Sequence, residues 1–115
     1  MFFVFFMAAV MCGCGSGETA TDNSFFTEWD TPFGVPPFEQ IKPEHYKPAF
    51  TQGMEEQKAE IEAIVSNTED ATFENTIVAL DQSGALLNKV SYVFFGQTNA
   101  NTNDELQAIN AEISP

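Results

Sequence analysis

The chain has no arginine, and its four lysines face 17 acidic residues, giving a net charge of -13 at pH 7. Phosphate backbones are held by clustered Lys or Arg, so nucleic acid is excluded as a partner. The acidity suits a solvated helical surface, and no cluster of acids is dense enough to argue for a cationic ligand. Histidine occurs once, at His45, and cysteine only at Cys12 and Cys14. No apolar run approaches the ~20 residues that a membrane-spanning helix needs. Strand-like alternation and internal repeats are both missing. A length of 115 residues leaves room for one domain at most.

What is present begins with an apolar run over residues 2–12, the length of a secretory-signal core. It stops at Met11-Cys12-Gly13-Cys14 and passes into a polar Gly/Ser/Thr stretch up to Ser24. This resembles a bacterial lipoprotein signal, in which a small residue precedes the cysteine that takes the lipid. Gly13 makes Cys14 the better candidate, because Met11 before Cys12 is too large. A cleaved signal without lipid is the competing reading. A C-x-C metal pair or disulfide is a third, although such a bridge is strained and no further sulfur ligand exists. A secretory signal ordinarily opens with Lys or Arg, and none precedes Lys42. The expectation is a signal over residues 1–13, lipid attachment at Cys14 and a flexible tether over residues 14–30. Gly15 is not acidic, which points to a bacterial cell envelope and a periplasm-facing outer-membrane anchor.

Three prolines and a glycine between Pro32 and Phe38 exclude regular helix there. The stretch reads as an extended arm whose aromatics pin it to the body. The absence of a repeated P-x-x-P argues against a groove ligand. Helical periodicity follows and predicts an all-α fold with about three helices, over residues 47–66, 72–96 and 103–114. Pro48 should fall in the first turn of the first helix, which carries Phe50, Met54, Gln57, Ile61, Ile64 and Val65. Gly53 weakens that helix unless another backbone packs closely.

Thr72 caps the second helix. One apolar stripe runs Phe73, Ile77, Leu80, Gly84, Leu87 and Phe94; another runs Ala79, Ser83, Leu86, Val90 and Val93. Glu74, Asp81, Gln82, Asn88 and Lys89 are left for water. A helix apolar on two sides must be covered on both. Thr102 with Glu105 suggests a capping box for the third helix, with Leu106, Ile109 and Ile113 on one face. Three such helices bury too little, so apolar area is expected to stay exposed.

The order Pro32-Phe33-Gly34-Val35-Pro36-Pro37-Phe38, Ile41-Lys42-Pro43-Glu44-His45-Tyr46, Pro48-Ala49-Phe50 and Thr72-Phe73-Glu74-Asn75-Thr76-Ile77 resembles a known family. It is the N-terminal region of the peptidyl-dipeptidase, oligopeptidase A and thimet oligopeptidase zinc metallopeptidases. Asn101 to Ile109 resembles it too, so the likeness covers about residues 31–115. The resemblance implies a larger, two-lobed helical peptidase around a narrow channel, with residues 31–115 as an incomplete N-terminal segment. It implies one zinc in the full-length protein, short peptide substrates and release of C-terminal dipeptides. Its zinc site needs two histidines four residues apart on a His-Glu-x-x-His helix, and this chain has only His45. No catalytic and no metal residue is therefore expected here.

His45 reads as a helix-entry residue beside Tyr46. Glu74 and Asn75 read as first-turn residues favoured for local reasons. The expected partners are the remainder of the same polypeptide and, through the lipid, a membrane. A free-standing, lipid-anchored helical interaction module is the alternative. A reading frame continuing into a His-Glu-x-x-His helix separates the two.

Overall fold

A computed structural model describes residues 23–114. Four α-helices account for most of them, α1 (Pro43–Val65), α2 (Ala79–Gln82), α3 (Ala85–Ala100) and α4 (Asp104–Ile113). A π-helical turn, Phe73–Val78, runs directly into α2, and short 3₁₀ turns lie at Ser24–Phe26 and Pro32–Gly34. No strand occurs among the described residues, so the expected all-α class holds. Signal and lipid-site residues, Cys14 included, lie outside the described residues.

α1 begins four residues earlier than residue 47, with Pro43 at its first position and Lys42 still extended. Pro48 consequently sits inside the helix. It has no N–H to offer the Glu44 carbonyl, but Glu44 is exposed and water can replace that bond. The longer helix places Tyr46, Ala49 and Phe50 on one buried face. His45 closes the entry: its Nδ1 accepts the Lys42 N–H at 3.3 Å. That satisfies one of the donors a helix start leaves open.

The second expected helix is broken once and lengthened. Ser83 is extended and Gly84 is left-handed, with φ of 71°. Only glycine adopts that conformation without strain. The Gly84 N–H donates to the Glu60 carboxylate of α1 at 2.7 Å, so a neighbouring helix holds the break. α3 then continues past Gly96 to Ala100, because nothing there demands an end. The cap of α4 is Asn103 rather than Thr102. Its side chain accepts the Leu106 N–H at 2.8 Å, and asparagine is at least threonine's equal at that position.

α1 and α3 run antiparallel in close contact. A Cβ on Gly53 would lie 2.9 Å from the Leu87 backbone. The two helices meet around a row of rings: Phe25 to Tyr46 (5.4 Å between centroids), Tyr46 to Phe94 (4.9 Å) and Phe94 to Phe50 (5.4 Å). Val90 and Val93 of α3 and Leu106 of α4 complete the core. Each fully buried side chain of this kind contributes about 1.5–3 kcal/mol.

The N-terminal arm docks through residues upstream of its prolines. Phe25 is only 1% exposed and the Asn23 side chain donates to the His45 carbonyl. Asn23 and Phe25 are therefore part of the packed body, although they fall within the tether expected over residues 14–30. Phe33, expected to pin the arm, is fully exposed on a left-handed backbone. Lys89, expected in water, instead clamps the arm. Its ammonium donates to the Phe25 and Thr27 carbonyls at 3.1 and 2.8 Å and lies 4.2 Å from the Trp29 ring centroid. Burial lowers its pKa, with Glu28 pulling the other way.

The far end is thinly built. Phe73, Ile77 and Leu80 remain exposed, as the two-stripe pattern implied, and Met54, Ile61 and Val65, expected on the apolar stripe of α1, are exposed as well. Gly53→Ala should lower stability by about 1–3 kcal/mol by forcing α1 from α3. Gly96→Ala, whose Cβ meets nothing within 4 Å, should be neutral or stabilising by up to ~1 kcal/mol. Denaturant midpoints of the two variants measure this; equal shifts in the same direction would contradict the close approach.

Candidate functional site

A groove of about 610 Å³ opens where the Pro-rich arm meets α3 and the start of α4. Pro36 and Phe38 of the arm, Tyr92, Val93 and Gln97 of α3, and Leu106 of α4 line it. No carboxylate, imidazole, thiol or ammonium lines it. Tyr92 is the one titratable side chain in this lining, so the groove can hold apolar surface but does not pair an acid with a base.

Behind the groove lies a polar inlay in the core. Tyr46 is 1% exposed, and its hydroxyl donates to Gln97 Oε1 at 2.8 Å. Burial pushes its phenol up to about 12. A phenolate there would lose water and turn an acceptor toward Gln97 Oε1. This bond spans α1 and α3 and fixes their relative register. It is structural geometry, because no nucleophile or metal ligand stands beside it.

The residues singled out from sequence fall as follows. His45 is half-buried at the start of α1 and is used up locally by Lys42 N–H. Thr72 and Asn75 cap each other: Asn75 N–H donates to Thr72 Oγ1 at 3.0 Å, and Thr72 N–H to Asn75 Oδ1 at 2.8 Å. Asn75 Nδ2 also donates to the Asp70 carbonyl at 3.0 Å. Glu74 is exposed beside them and shares no bond with Asn75's amide. The structure therefore gives the pair no acid/amide chemistry.

No group of three or more His, Cys, Asp or Glu side chains suited to a metal ion occurs among the described residues. The described residues do not fit a zinc site. No described helix is long and apolar enough to cross a membrane. Sequence reasoning missed Lys89 and Gln97. Lys89 lies three residues after Leu86 and one before Val90, on the edge of a buried stripe, and that position was the available signal.

The chain is similar to dipeptidyl carboxypeptidases. It is 48% identical over 94 residues to the Escherichia coli K12 protein of that name, which covers 82% of this chain and 14% of the relative. To the Salmonella typhimurium dipeptidyl carboxypeptidase it is 49% identical over 83 residues, 72% of this chain and 12% of the relative. Oligopeptidase A of Salmonella typhimurium is 33% identical over 60 residues, 52% of this chain and 9% of the relative. The chain thus spans a small part of the length of the curated relatives it matches. No family model matches it.

Tyr46 provides a test of the inlay through pH. Its folded pKa lies above the ordinary value of 10.0. The stabilisation is therefore complete below pH 10 and is lost as pH rises from there toward about 12. Tyr46→Phe should cost about 1 kcal/mol at neutral pH by removing the Gln97 bond, and should flatten the alkaline loss. Unfolding midpoints across that range check this; an unaltered alkaline profile in the variant would contradict it.

Proposed function

We propose that this chain is the N-terminal, non-catalytic portion of an exported zinc-dependent peptidyl-dipeptidase or oligopeptidase. The observation that carries the reading is the 48% identity over 94 residues to a dipeptidyl carboxypeptidase. The whole protein would act on short peptides and release C-terminal dipeptides. Its helices here would form part of an outer wall that narrows access to the reacting centre. Zinc and its ligands would lie in the remainder of the polypeptide, since the residues described here offer no such site.

A groove lining in which Tyr92 is the single titratable side chain supports a wall rather than a catalytic role. An uncovered apolar face on the π-turn and α2 supports a larger assembly over a free-standing module. Export and a lipid at Cys14 rest on the sequence pattern of residues 2–14. A lipid there would lie nine residues before Asn23, which is packed in the body.

The frame beyond Pro115 should continue into a His-Glu-x-x-His helix. The longer product should release dipeptides from peptide C-termini in a chelator-sensitive manner, while the 115-residue chain should release none. A longer product inert toward peptides, or cleavage by the short chain alone, would contradict the proposal. Cys14→Ala should move the longer product from the membrane to the soluble fraction; unchanged fractionation would remove the anchor from it.

A further inference from the structure

The π-turn and α2 present two different faces. Asn75, Ala79, Gln82 and Ser83 line a cleft against Glu60, Ala63 and Ile64 of α1. Phe73, Ile77 and Leu80 are instead 66%, 51% and 53% exposed. Three large apolar side chains spaced four and three residues apart form one side of a helical segment. Nothing in the described residues covers that side.

The surroundings of this face are of one sign. Between Lys58 and Lys89 the chain has no basic residue, and it carries Glu60, Glu62, Glu69, Asp70, Glu74 and Asp81. Glu74 and Asp81 lie on the same segment as the apolar side chains and are exposed. The lysines are engaged elsewhere: Lys47 with Glu112, Lys58 with Glu62, and Lys89 with the arm. A second copy would set the same acidic rim against itself, with a net charge of -13 on each chain. An isologous contact of that kind is repulsive.

We propose that Phe73, Ile77 and Leu80 form a docking seam for an apolar surface edged with lysine or arginine, contributed by the remainder of the longer polypeptide. This rests on the reading above that such a remainder exists; the relatives are long enough to supply it, since the match covers only 14% of one of them. The seam lies at the opposite end of α1 from the core row Phe25, Tyr46 and Phe94. A cover here would lock the end of the wall that its own core leaves loose. Glu74 and Asp81 set the partner's chemistry, and the apolar trio sets its position.

The test is thiol labelling of the longer polypeptide, with Cys12 and Cys14 changed to Ser and labelled sites located by mass spectrometry. Ile77→Cys and Glu55→Cys sit at residues that are both exposed in this chain. In the native longer protein Ile77→Cys should label at least about tenfold more slowly than Glu55→Cys, and the two should label alike after unfolding. Adding Glu74→Lys and Asp81→Lys should return Ile77→Cys toward the fast rate. Equal native rates at both cysteines would overturn the seam while leaving the peptidase reading intact. Protection that disappears on dilution would assign the face to a second copy, and protection indifferent to the charge reversals would remove the basic edge; either overturns the proposal. A frame that ends without a zinc-binding helix overturns the functional reading and this seam together.

Discussion

Everything in this chain hangs on how closely α1 approaches α3. Gly53 lets the Leu87 backbone come within the space a side chain would fill. That contact sets the distance at which Tyr46, Phe50 and Phe94 can interleave as edge-on rings. Tyr46 then reaches Gln97, and Glu60 reaches the Gly84 N–H at the other end of the same pair. The two polar bonds bracket the crossing and fix its register. The arm depends on it in turn, since Phe25 packs on Tyr46 and Lys89 of α3 holds the Phe25 and Thr27 carbonyls.

Much of this was legible beforehand, because it followed from periodicity. Phe50, Val90, Val93 and Leu106 recur at helical spacing and are buried. The condition attached to Gly53, that another backbone must pack closely, is met by Leu87. What sequence did not reveal depended on contacts distant along the chain. The break at Ser83–Gly84 needs a carboxylate from α1 beside it. Lys89 looks solvated until the arm folds back over it. Pro48 reads as a helix start when local rules act alone, and tertiary burial of Tyr46 and Ala49 overrides them. Phe33 carries every mark of an anchor and packs against nothing, because Phe25 and Trp29 already hold the arm.

The candidate site has a similar division. Local chemistry for His45, Thr72 and Asn75 was readable and is what the structure contains: each satisfies backbone groups at a helix start. The groove beside Phe38 and Tyr92 was not readable, because it forms from three separate segments. Neither feature gathers titratable side chains: the groove has Tyr92 alone, and His45 stands at its helix start with Nδ1 on the Lys42 N–H. The described residues thus combine a firm core at one end with an uncovered apolar face at the other. The chain's likeness to a small part of much longer dipeptidyl carboxypeptidases agrees with that build.

The account turns on this uneven distribution of support along α1. Hydrogen exchange of the chain by itself tests it most directly. Amides around Ala49, Phe50, Val90 and Phe94 should be the best protected, and those of the Phe73–Val78 turn and α2 should exchange far faster. Uniform protection from α1 through α4 would show that the far end needs no cover, and would contradict the account.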